Sequence, residues 1–219
     1  MSSLGVRRRF AAVSLALAGS LVALSACSGA DDPDADAAQS PSSSVSPSAS
    51  PTPAPTPSAT YKPASAEGPA ENVPLPVMPE EAKVESKEGL IAFARYWYEL
   101  VNYGYETGDV EPVKAVSGPD CFACQSFYEV VQSGFQDSDW MAGAGIEFQG
   151  ADSSFARTDE GYVQVLVQLV QEPLEYYGPA GVQAIEPGNE LPSVQMIEAE
   201  FGPSGWSAID VVTIHASKK

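Results

Sequence analysis

Basic residues are scarce in this chain: 11 lysines and arginines stand against 29 aspartates and glutamates, a formal net charge of −18 over 219 residues. Such an excess of negative charge is repelled by nucleic-acid phosphates and anionic headgroups, so no nucleic acid is expected as a partner. Histidine is almost absent, with His215 alone, and the cysteines are three: Cys27, Cys121 and Cys124. A zinc site needs about four such ligands, and the C-terminal part of the chain offers only a cysteine pair and one histidine, so no metal is expected. The acids form no D-x-D-x-D-G loop with a distal glutamate, so calcium has no dedicated site. Serine triads, Glu-x-x-His pairs and Gly-rich phosphate loops are missing too. Gly143-x-Gly145 is too short and precedes a strand-like run, so no cofactor is expected. His215 and Asp210 fall on opposite faces of one strand-like segment, which makes them a poor acid–base dyad. Long apolar runs are also lacking. The longest, Phe10 to Leu24, is about 15 residues, against the roughly 20 that span a bilayer.

That short run is nonetheless the most distinctive feature present. Arg7, Arg8 and Arg9 precede it, and Leu24-Ser25-Ala26-Cys27 closes it with small residues before a cysteine. The pattern resembles a bacterial lipoprotein signal peptide. The resemblance implies that residues 1–26 are removed and that Cys27 carries lipid, anchoring the chain to the extracytoplasmic face of a cell membrane. Two acyl chains on one cysteine meet the two-signal requirement for stable anchoring. The competing reading is an ordinary secretory signal cut near Ala26, which leaves Cys27 as an odd free thiol.

Residues 27–71 read as a tether. Ser28 to Ala38 is small and acidic, and Ser40 to Pro69 is dominated by Ser, Pro, Ala and Thr, with almost nothing to bury. Some 40 residues at about 3.1 Å each reach on the order of 120 Å when extended. Residues 72–219 are long enough for one domain with its own core.

Within that domain the spacing predicts a helix over 86–105, with Leu90, Phe93, Ala94, Trp97, Leu100, Val101 and Gly104 as its apolar stripe. Ser86 is its N-cap and Gly108 its stop. A short helix or turn over 109–116 and a helix over 121–135 follow. The period then changes: strands are expected over 146–155 and 162–171, with Val163, Val165, Val167 and Leu169 on one face. Residues 173–192, broken by proline and glycine, read as an irregular loop. A hairpin over 194–201 and 206–215 closes the chain. The fold class expected is α+β, with N-terminal helices packed on a curved antiparallel sheet of about four strands.

Several motifs carry a family resemblance: Pro76, Met78-Pro79-Glu80-Glu81-Ala82, Phe93-Ala94-Arg95-Tyr96-Trp97, Asn102-Tyr103, Thr107-Gly108-Asp109 and Asp120-Cys121-x-x-Cys124. Together they resemble a family of uncharacterised actinobacterial lipoproteins without assigned activity. The helix-then-sheet order is similar to the nuclear transport factor 2-like superfamily, which implies a cone-like shape but no particular function.

Cys121 and Cys124 sit at a spacing that brings two Cα atoms of a helical turn to about 5–6 Å, within reach of a disulfide. A structural staple and a redox pair are both open, the second lacking the strand-fed βαβ setting such pairs use. A pocket is expected if the sheet curls over the first helix. Tyr96 and Trp97 would form one wall, with Gln164, Met196, Glu198 and Asp210 opposite, and Glu200 nearby. A satisfied core uses the same residues. The function expected is that of a non-catalytic, membrane-anchored extracytoplasmic lipoprotein whose domain binds an envelope partner protein or a small wall-derived ligand. Two alternatives stand beside it: a small hydrolase- or isomerase-type enzyme with a carboxylate-lined cone, and a structural envelope spacer.

Overall fold

The computed structural model describes residues 59–216, and the expectations for the signal segment, Cys27 and most of the tether lie outside them. The first long element is α1, Lys87–Thr107, and its ends follow from local chemistry. Ser86 is extended, and its Oγ accepts from Gly89 N at 2.9 Å, satisfying one of the free donors of the first turn. At the other end Gly108 takes φ 79°, the left-handed conformation that only glycine adopts cheaply, and its N–H bonds Gly104 O. Gly89 has a packing reason as well. A Cβ there would stand 2.1 Å from Val84 O, because a 3-10 turn at Glu80–Lys83 lies against the start of α1.

Two shorter helices follow, α2 at Glu111–Lys114 and α3 at Phe122–Gly134. The strands come after them: β1 Trp140–Gly143, β2 Ile146–Asp152, β3 Val163–Gln171, β4 Leu174–Gly178, β5 Gly181–Glu186, β6 Asn189–Gly202 and β7 Gly205–His215. They form two antiparallel sheets, a four-stranded one in the order β2-β3-β6-β7 and a three-stranded one in the order β1-β4-β5. The class is α+β as expected, but the single sheet of about four strands is corrected to two sheets.

The second sheet arises from the stretch read as an irregular loop. Glycines and prolines there serve as turn residues between short strands: Pro179-Ala180 links β4 to β5, and Pro187-Gly188 links β5 to β6. Leu174 packs with Met141 and Ala144 in a small second core. The connection between α2 and α3 also joins the sheet, since Gly118 N donates to Ala208 O at 2.7 Å and Ala208 N to Val116 O at 2.9 Å.

The main core lies between α1 and the four-stranded sheet. Leu90, Phe93, Trp97 and Leu100 pack with Val163, Val165, Val167 and Ile197. Burying side chains of this size contributes about 1.5–3 kcal/mol each, and the fully aliphatic odd-numbered face of β3 is therefore the one that takes the helix. Asn102 clamps α1 to the start of β2, donating to Ile146 O at 3.0 Å and accepting from Ile146 N at 2.9 Å.

The folded domain also begins earlier than residue 72. Lys62 and Glu71 pair across a short antiparallel bridge, Trp140 Nε1 donates to Ser65 O at 2.8 Å, and Tyr61 OH donates to Glu106 at 3.0 Å. Residues 59–71, assigned to the tether by composition, are thus held against α1 and β1. Low hydrophobicity concealed them because backbone and hydroxyl hydrogen bonds, rather than apolar burial, fasten them.

Candidate functional site

The outward face of α1 carries Glu88, Ile91, Ala92, Arg95, Tyr96, Glu99, Asn102, Tyr103 and Glu106, opposite the buried stripe. Residues 69–79 cross this face as a strap. Val73, Leu75 and Met78 each precede a proline, which drives them to extended backbone conformations. Between strap and helix lie three adjoining concavities of about 520, 290 and 650 Å³. The first and second share Glu99; the second and third share Val73, Tyr103 and Glu106. They amount to one groove along the helix.

Its floor at one end is apolar, with Ile91 and Ala92 facing Val77 and Pro79, and Tyr96 as a side wall. Its far end is aromatic, with Tyr103, Phe135 and Trp140. Carboxylates rim it. Glu88, Glu99 and Glu106 are separated by three and then two helical turns, so they lie in one row. Among the described residues Glu81, Glu88 and Glu99 make no salt bridge, whereas Glu106 is bonded by Tyr61. Arg95, the cation on this wall, stacks over the Phe148 ring at 4.2 Å from its centroid. Burial, then the nearby Glu99 charge, pushes the Tyr96 hydroxyl above its ordinary pKa. Burial, followed by the hydrogen bond to Glu106, does the same to Tyr61. Both phenols therefore stay neutral donors at physiological pH.

The residues expected to surround a cone are divided between different surfaces. Tyr96 lines the groove. Trp97 is buried in the core, its Nε1 donating to Ser117 Oγ at 2.9 Å. Gln164, Met196, Glu198 and Asp210 do come together, but on the face of the sheet turned away from α1. There Gln164 Nε2 donates to Glu198 Oε1 at 2.6 Å, Glu198 pairs in register with both Gln164 and Asp210, and Met196 pairs with Leu166 and Val212. Glu200 is exposed. The opposed walls expected from Trp97 and these residues are corrected accordingly, because the aliphatic face of β3 outcompetes its mixed face for the helix. The carboxylates proposed for an enzymatic cone stand on that outer surface. His215 is exposed near the end of β7.

A separate cleft of about 310 Å³ lies on the four-stranded sheet, with Gln171, Asn189, Ser193, Gln195 and Thr213 on its walls. Its polar groups largely serve one another. Asn189 Oδ1 accepts from Gln171 N at 2.6 Å, Asn189 Nδ2 donates to Ser193 Oγ at 3.2 Å, and the buried Tyr98 OH donates to Gln195 Oε1 at 2.6 Å.

Cys121 and Cys124 form a disulfide, with Cα atoms 5.2 Å apart. Both are wholly buried, and Cys121 Sγ also accepts from Cys124 N at 3.3 Å as the cap of α3. Among the described residues no group of three or more His, Cys, Asp or Glu is arranged to hold a metal ion. Nor is any described helix long and apolar enough to cross a membrane.

Sequence reasoning missed the groove because its strap lay in and next to the presumed tether. The signal was present in the alternation of proline with apolar residues over 73–79, directly before the helix. Of the known proteins compared, no curated one matches the chain. A family model described as a family of unknown function (DUF6318) matches residues 59–211. Among solved structures, the crystal structure of the intermembrane space region of the chloroplast protein ARC6 is 9% identical, covering 60% of this chain and 98% of that one, at a TM-score of 0.41. A likeness that low carries no argument about this chain.

Proposed function

We propose, for a chain that belongs to the family of unknown function DUF6318, a lipid-anchored extracytoplasmic binding module that does no chemistry of its own. Its groove along α1 takes up an envelope partner protein or a small wall-derived ligand. The observation that carries this reading is the groove itself: a concavity running along one helix, with an apolar floor, aromatic walls and, on its rim, carboxylates that make no salt bridge among the described residues. Such a surface offers apolar area together with a few directional polar groups, which is what recognition requires. The cone-like architecture belongs to the same proposal, with α1 filling the inner side of the four-stranded sheet and the Gln171–Gln195 cleft as the mouth. Lipid on Cys27 and the extracytoplasmic address are parts of this reading supported by the N-terminal segment, and an actinobacterial source by the motif resemblance over residues 76–124.

Two measurements test it. Cell fractionation of Cys27→Ser should move the protein from the membrane to the soluble fraction, and a variant still held in the membrane sinks the anchor. For the groove, a photoreactive side chain placed at Val77, which is 85% exposed on the strap, should yield a discrete envelope adduct. The same group at Val212 on the outer sheet face should not. Adducts confined to position 212 would move the binding face to the sheet, and adducts at neither position would defeat the reading.

A further inference from the structure

We infer that the occupant of the α1 groove is an extended, basic peptide segment of a partner protein, its chain running along the strap and its lysine or arginine side chains meeting Glu88 and Glu99. The inference rests on the binding role proposed above and names the chemistry of what is bound.

Two independent features point to it. The first is charge. Glu81, Glu88 and Glu99 surround an apolar floor, and among the described residues none of them has a salt-bridge partner. Arg95 is drawn toward Phe148. An acidic or neutral occupant would leave these carboxylates without a counter-charge, while a cationic one supplies it and is steered to the groove by complementary charge. A second copy of this acidic chain is disfavoured by the same argument.

The second feature is the strap. Prolines at 74, 76 and 79 hold it extended, and among the described residues no backbone–backbone hydrogen bond engages Val73 to Met78. Successive residues of an extended chain direct their N–H and C=O groups to opposite edges. Val73, Leu75 and Val77 therefore share one edge with donors and acceptors, while on the other Pro74 and Pro76 supply only acceptors and Met78 the single donor. An extended segment with one such edge, unpaired among the described residues, can accept an extended peptide by backbone hydrogen bonding. Glu88 and Glu99 lie about 16 Å apart along the helix axis, the span of about five residues of extended chain. Side chains of an extended chain share a face only at even spacing, so basic residues six apart, on flexible stems, would meet both.

The test uses the full chain in detergent and a fluorescein-labelled nine-residue peptide, PKVPLVVKV, whose lysines are six apart and so share one face. Saturable anisotropy is expected. Affinity should fall at least tenfold for Glu88→Gln combined with Glu99→Gln, and likewise for a peptide with glutamate in place of both lysines. Both carboxylates are exposed and make no hydrogen bond among the described residues, so the double variant should keep its thermal midpoint. Ala92→Trp, which fills the groove floor, separates the inference from its premise. If Ala92→Trp abolishes binding while the double glutamine variant binds as tightly as the parent, the groove reading stands and the basic-peptide inference falls. If neither variant changes affinity, both fall. Absence of saturable binding by the lysine peptide overturns the inference, as does equal affinity for the glutamate peptide.

Discussion

Tyr98 ties α1 to the inner face of β6 through a single hydroxyl, 2% exposed as a residue and bonded to Gln195 Oε1 at 2.6 Å. Burial raises its pKa well above the ordinary tyrosine value. In the unfolded chain a tyrosine ionises near pH 10. Above that pH the unfolded state releases a proton that the folded state keeps, so stability is fully present below pH 10 and is lost as pH climbs through the folded value. Tyr105 is raised by burial too, and Tyr176 is pushed up to about 12 by burial and then by Glu186, so both add to the same alkaline loss. Tyr98→Phe should cost about 1 kcal/mol at pH 7 by deleting the hydrogen bond. It should also fall less steeply than the parent between pH 10 and 11. Urea titrations at pH 7, 10 and 11 would measure this, and an alkaline slope unchanged in the variant would remove Tyr98 as a contributor. The tyrosine-rich character of this helix was plain from the sequence. Which tyrosine pointed inward was less so, because Tyr96 and Tyr98 differ by only two positions and both flank the apolar stripe.

At the scale of elements, the disulfide decides how α3 begins. It closes a loop so short that the chain-entropy model assigns it about 2 kcal/mol, and both sulfur-bearing residues are inaccessible to solvent. A buried bridge of this kind should resist dithiothreitol under native conditions and become reducible only when the domain unfolds. Replacing both cysteines with alanine should lower unfolding stability by about 2 kcal/mol. Rapid reduction of the native protein, followed by thiol alkylation at Cys121, would instead favour the redox reading. The ends of α1 were legible for the same kind of reason: the Ser86 cap and Gly108 stop are local chemistry, needing no distant partner. Strands β4 and β5 were not. Their glycines and prolines read as loop breaks, and only pairing with β1, remote in sequence, makes strands of the residues between them.

For the molecule as a whole, the boundary between tether and domain is the prediction most easily checked. A chain beginning at residue 72 loses the Trp140–Ser65 and Tyr61–Glu106 hydrogen bonds, together worth about 1–2 kcal/mol. It should therefore melt about 5 °C below one beginning at residue 59. Equal midpoints would return residues 59–71 to the tether. The comparison bears on function as well, since Tyr61 and Pro69 line the groove and residues 59–71 lead directly into its strap.

By itself the sequence determined what depends on composition and near neighbours. This covers the net negative charge, the ends and buried stripe of α1, the antiparallel hairpin of β6 and β7, the pairing of two cysteines one helical turn apart and the α+β class. Tertiary structure alone decided which face of β3 meets the helix, and so where Gln164, Met196, Glu198 and Asp210 point. Both faces of that strand alternate correctly for burial, and only competition between them for one helix separates inside from outside. The groove was decided in the same way: a polar, proline-bearing segment acquires a fixed place only when the helix and β1 offer the hydrogen-bond partners that hold it.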